Sequence, residues 1–101
     1  MKYVLTESRL NEFVVNYLNT FVDNKAISHH RDFIIIQEKS YDEDSWEDYM
    51  EYDYSDGRLW VNKKILKLFS DLFNLGVEKT FDYIEKWFES RFNVEINYLD
   101  T

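Results

Sequence analysis

The chain contains no cysteine and no proline, and only two of its 101 residues are glycine. Without cysteine there is no disulfide framework, thiolate nucleophile or cysteine zinc site, so stability must rest on packing. Two glycines cannot build a phosphate-cradling loop, and neither a Gly-x-Ser-x-Gly elbow nor a nucleophile–base spacing occurs. Long apolar runs are also missing. Met1–Leu5 is broken at once by Thr6-Glu7-Ser8-Arg9, well short of a signal peptide or a membrane span. These absences predict a soluble, unexported, cytoplasmic protein with no cofactor and no catalytic residues.

The last shortage is local. Residues 41–56 hold eight of the twenty acids and none of the twelve bases, so the remaining acids and bases balance and the net charge of −8 belongs to this segment. Strong negative charge disfavours direct nucleic-acid binding, which requires a positive surface. Lys63, Lys64 and Lys67 form a short basic cluster, which reads as the solvated face of a helix.

What is abundant is aromatic carbon. Eight Phe, eight Tyr and three Trp in a chain that is 45% hydrophobic make a folded core the expectation, and the length suits one domain over residues 1–101. Leu10, Phe13, Val14, Tyr17, Leu18 and Phe21 recur at three- and four-residue steps and predict a helix over 6–22, capped by Thr6 or Ser8 and stopped by Asp23-Asn24. Residues 24–31 read as a loop. Residues 32–38, with Phe33-Ile-Ile-Ile36, predict a strand buried on both faces near the middle of the sheet. Ile65, Leu66, Phe69, Leu72 and Phe73 predict a second helix between Asn62 as N-cap and Gly76 as C-cap. Val77, Phe81, Ile84 and Phe88 predict a third over 77–92, with Tyr83 and Trp87 beside the stripe, and Val94–Tyr98 alternates as a short strand. The expected fold class is α+β: a small antiparallel or mixed sheet of three to four strands packed with three helices, in the order α-β-β-β-α-α-β.

Between these lies a hairpin over 49–62. Asp56-Gly57 as a two-residue turn pairs Tyr54 with Leu59, Asp53 with Trp60 and Tyr52 with Val61. Met50, Tyr52, Tyr54, Leu59 and Val61 then share a core face, while Glu51, Asp53, Arg58 and Trp60 share the other. On that face Trp60 is either an exposed aromatic anchor in a charged rim, as interface hot spots are often composed, or is covered by the 41–48 segment or another element.

Other chemistry finds little support. His29-His30 are sequence neighbours that point apart and lack the helical spacing of a zinc pair. Neither Asp42-Glu43-Asp44 nor Asp53–Gly57 follows the twelve-residue calcium loop. No pair of acids is set between apolar walls as glycoside hydrolysis requires. The candidate binding residues are therefore Asp42, Glu43, Asp44, Trp46, Glu47, Asp48, Glu51, Asp53 and Trp60.

The opening Lys2-Tyr-Val-Leu-Thr-Glu-Ser-Arg-Leu10 with Tyr17-Leu18, and the closing Ile84-Glu-Lys-Trp-Phe-Glu-Ser-Arg-Phe-Asn-Val-Glu95, resemble the ends of small uncharacterised proteins of tailed bacteriophages. The resemblance covers helix faces at both ends and not the acidic middle. It implies a viral setting, in the host cytoplasm or the virion, for an inhibitor of a host factor or a minor virion component. The leading expectation is a non-enzymatic protein-binding module, a phage-encoded acidic inhibitor that mimics nucleic acid and engages a basic surface of a host protein. The alternative is a structural or assembly component, a virion accessory or homo-oligomer.

Overall fold

The apolar stripe of the first predicted helix forms α1 (Glu7–Asp23), with Val14, Leu18 and Val22 wholly removed from solvent. The computed structural model describes residues 7–39 and 45–101. Thr6, one of the two expected caps, lies outside them, and Ser8 falls within the helix. At the other end, Asn24 Nδ2 donates to the Thr20 carbonyl at 2.8 Å, satisfying one of the orphan acceptors of the last turn.

Residues 24–31 are not all loop. They contain β1 (Ala26–His29), which pairs antiparallel with β2 (Phe33–Lys39) across a tight turn closed by His30 N–H donating to Phe33 C=O at 2.8 Å. A four-residue strand has little periodicity of its own, and the neighbouring strand's ladder is what holds it extended. The sheet then continues through β3 (Trp46–Asp53), β4 (Arg58–Val61) and β5 (Tyr98–Asp100). Among the described residues it has five strands rather than three to four, in the order β1-β2-β3-β4-β5, antiparallel except for the parallel β4–β5 pair. The α+β class stands, and the order becomes α-β-β-β-β-α-α-β.

Between β4 and β5 come α2 (Lys63–Phe73) and α3 (Val77–Phe92). Asn62 caps α2 as expected, its Oδ1 accepting from Lys64 N–H at 2.9 Å. The C-cap is Asn74 in the left-handed conformation (φ 54°), not Gly76, because asparagine tolerates that region and arrives first. Gly76 instead begins α3. The last strand starts four residues later than the alternation of 94–98 predicted. Val94 and Ile96 pack into the core instead, and Asn97 N–H donates to Gly57 C=O at 2.7 Å, which sets β5 beside β4.

The helices cover one face of the sheet. Ile34, Ile36, Met50, Tyr52, Leu59 and Val61 point into them and meet Phe69, Phe73, Ile84 and Phe88 in one continuous core. Ring pairs stitch the layers: Phe21 meets Phe69 edge-on at 5.0 Å and Tyr49 at 5.6 Å, while Tyr52 meets Phe88 at 5.7 Å. Burying a side chain such as Phe69 contributes about 1.5–3 kcal/mol, and truncating it to alanine costs about 3–5 kcal/mol once the cavity is included. The strand β2 is buried on this side only. Phe33 remains 44% exposed and Ile35 half-buried on the other, contrary to the expectation of burial on both faces, since no described helix lies there.

Candidate functional site

The face of the sheet that the described helices leave open collects the residues that were predicted to face away from the core. Strands alternate their side chains, so once Met50, Tyr52, Leu59 and Val61 enter the core, Glu51, Asp53, Arg58 and Trp60 must emerge opposite. The hairpin reaches this arrangement through a different register from the one expected. Tyr54–Gly57 form a four-residue connection, so that Glu51 faces Trp60, Tyr52 faces Leu59 and Asp53 faces Arg58. Two aspartates lengthen the turn. Asp53 Oδ1 accepts from both the N–H and the hydroxyl of Ser55, at 2.8 and 2.7 Å, and Asp56 Oδ1 accepts from Arg58 N–H at 3.0 Å. A slip of two residues leaves every paired side chain on its own face, which is why the predicted faces survive a wrong pairing except at Tyr54, which falls in the connection and is exposed rather than in the core.

A β-bulge brings a further carboxylate to this face. Ile36 pairs with Met50 but Gln37 pairs with Asp48, leaving Tyr49 as the extra residue of β3. Tyr49 turns to the helix side, where its hydroxyl donates to Glu38 at 2.8 Å and its ring meets Phe21. Beyond the bulge the alternation is inverted, so Asp48 and Trp46 lie on the open face with Glu51, and Glu47 lies beside Glu38 on the opposite side. Trp46 is 52% exposed.

Phe33, Ile35 and Trp60 form an apolar floor, bordered by Glu51, Asp53 and Arg58, around a shallow cavity of about 190 Å³. Asp48 flanks it next to Glu51, and Asp100, paired with Trp60 in the parallel ladder, closes the far side. Arg58 is the one base among the lining residues and reaches Asp100 at 3.9 Å, a loose exposed pair that leaves the face negative.

The acids of this face differ in their readiness to ionise. Burial pushes the Glu51 carboxyl up, helped by its hydrogen bond with Asp48 and by that neighbour's charge, with Arg58 opposing. Asp53 is held low by the Ser55 hydroxyl and backbone N–H. On the helix side Glu38 is also held low, first by the Tyr49 hydroxyl and then by Lys25, while burial and the Glu38 bond push Tyr49 up to about 12.

Of the nine candidate residues, the structure brings Trp46, Asp48, Glu51, Asp53 and Trp60 to one face and places Glu47 on the other. Asp42, Glu43 and Asp44 lie outside the described residues. Sequence reasoning missed Phe33 and Ile35, taken as core, and Asp100, whose strand was placed too early. Their signal was the surplus of apolar residues on β2 over what the helices can cover. Among the described residues no group of three or more His, Asp or Glu is arranged to hold a metal ion, and no helix is long and apolar enough to cross a membrane. His29 Nε2 and the Tyr54 hydroxyl share a hydrogen bond at 2.8 Å.

No protein-family model matches the chain, and neither a curated protein nor a solved structure is significantly similar to it.

Proposed function

We propose that the protein is a non-enzymatic binding module whose open sheet face docks a basic surface of a partner protein. The reading is carried by one observation: a half-buried indole, Trp60, shares the face left open by the described helices with Asp48, Glu51, Asp53 and Asp100. A half-buried aromatic floor with a charged border is the composition of an interface hot spot and its rim. The sign of that border selects cationic partners, and a second copy of the same face is repelled.

Glu51 and Asp53 stand two residues apart on an extended strand, a repeat of about 6.6–6.8 Å. This is close to twice the ~3.4 Å spacing of phosphates along one DNA strand, so the face presents charge to a basic groove as a nucleic-acid backbone does. In the viral setting implied by the resemblance of its two ends, the protein acts in the host cytoplasm as an acidic inhibitor that occupies the nucleic-acid site of a host protein.

The test is an affinity capture from host lysate with the natural chain and with Glu51→Gln/Asp53→Asn. A captured nucleic-acid-binding protein that is lost with the amide variant, and released by nuclease-resistant competitor DNA, supports the reading. Capture that is indifferent to both removes it. Exposed Phe13, Leu68 and Leu72 on α1 and α2 favour a second reading, self-assembly through the helical side, which light scattering of a strict monomer at high concentration would exclude.

A further inference from the structure

On the helical side of the molecule, away from the acidic sheet face, α1 and α3 diverge around an open groove of about 460 Å³. Helical spacing builds it. Tyr83, Lys86, Trp87, Ser90 and Arg91 follow one another at three- and four-residue steps along α3, facing Asn11, Val15 and Asn19 at four-residue steps along α1. Among the described residues, no acid lines this groove.

The hydrogen bonding inside it is one-sided. Asn19 Oδ1 accepts twice, from Trp87 Nε1–H at 2.9 Å and from Arg91 Nη1 at 2.8 Å. Two donors on one oxygen fix which way the amide is turned, so the Asn19 Nδ2 hydrogens are the donors it has left, and they meet no acceptor among the described residues. Among the described residues Lys86, which is exposed, makes no ion pair, and the hydroxyls of Tyr83 and Ser90 make no hydrogen bond. Arg91 spends one further N–H on Asp23 at 3.0 Å, the nearest acid, and retains others of its five. Trp87, buried and bonded, holds Asn19 and Arg91 in place rather than offering itself. The groove thus gathers a lysine, an arginine, an amide NH₂ and two hydroxyls, with its principal acceptor already saturated.

We propose that this α1–α3 groove binds a small oxyanion ligand, a molecule carrying a phosphate or carboxylate group, between Lys86, Arg91 and Asn19. Donors without acceptors are what an anionic oxygen requires, and charge-assisted bonds from Lys and Arg supply the larger share of the affinity. The overall negative charge does not forbid it. At physiological ionic strength charges act over about 8 Å; the acids of the sheet face lie beyond the core on the other side, and the nearer ones are Asp23, bonded to Arg91, and Glu85, which feels the charge of Lys86. This site is independent of the docking face.

The experiment titrates the whole protein with inorganic phosphate and, separately, with succinate, against sodium chloride at equal ionic strength. The readout is the NMR signal of the Trp87 indole N–H, which reports on the Asn19 bond directly. Saturable displacement by either anion and not by chloride is expected, and which of the two acts identifies the class of ligand. Lys86→Gln should weaken it roughly tenfold or more, the worth of one charge-assisted bond, and Ser90→Ala less. Both residues are exposed, so neither variant disturbs the fold. No saturable change with either anion, an equal change with chloride, or a response that survives Lys86→Gln overturns the proposal.

Discussion

The carboxyl of Glu51 is partly desolvated by the sheet and hydrogen-bonded to Asp48, so ionising it is harder in the folded chain than in the unfolded one. A raised folded value means that the native state holds the proton more tightly, and stability falls as pH rises from the ordinary glutamate range through the folded one. At neutral pH the charge is therefore a standing cost to the fold. Glu51→Gln should raise the melting midpoint at pH 7 by up to about 4 °C, the shift that ~0.5 kcal/mol produces in a chain of this size. The gain should vanish in acid, where Glu51 is protonated in both states. The same variant should weaken a basic partner by about 2 kcal/mol if the carboxylate meets a cation in the complex. Thermal melts at two pH values and one binding isotherm check both halves. That Glu51, Asp53 and Trp60 share a face was legible from alternation alone. Asp48 was not, because the bulge at Tyr49 inverts the parity beyond it, and nothing in Glu47-Asp48-Tyr49-Met50 marks where the extra residue falls.

At the scale of the element, helices were easier to read than strands. Sixteen- and seventeen-residue amphipathic stripes carry several repeats of their period, whereas β1 and β5 have four and three residues and owe their existence to neighbours distant in sequence. Residue Gly57 illustrates this dependence. Its φ of +72° serves the hairpin, and its carbonyl receives the N–H groups of Asn97 and Tyr98, at 2.7 and 3.3 Å, at the start of β5. A Cβ there would meet Asn97 Nδ2 at 2.5 Å and Cγ at 3.0 Å. Gly57→Ala adds a left-handed alanine to that collision and should destabilise the protein by about 1–3 kcal/mol. Hydrogen exchange should quicken first at residues 98–100, which pair only with β4, and only later in β2 and β3. Gly76→Ala is the control. No atom lies within 4 Å of the corresponding Cβ and the backbone is at φ −66°, so without collision or strain Gly76→Ala should lose only the preference of an N-cap for glycine over alanine, at most about 1 kcal/mol. A denaturation curve on each variant, with the exchange rates of β5, decides the matter.

For the whole molecule, charge is sorted by side. The sheet face carries acids around Trp60, the α1–α3 groove carries donors, and the core between them keeps the two apart. Two consequences of the net charge of −8 have opposite signs in salt. In the free protein, like charges crowded on one face repel and oppose folding, and raising ionic strength from about 10 mM to about 150 mM shortens the screening length from ~30 to ~8 Å. The melting midpoint should therefore rise with salt, and rise less in Glu51→Gln/Asp53→Asn, which carries two fewer charges on the crowded face. Association with a basic partner runs the other way, because screening removes the attraction that steers encounter, and its rate should fall over the same range while dissociation changes little. Stability rising and association slowing together identify a surface whose charge serves a partner at the expense of the fold. A midpoint that falls with added salt would mean that the chain's own ion pairs dominate, and the acidic face would then be a part of the fold's internal balance rather than a docking surface.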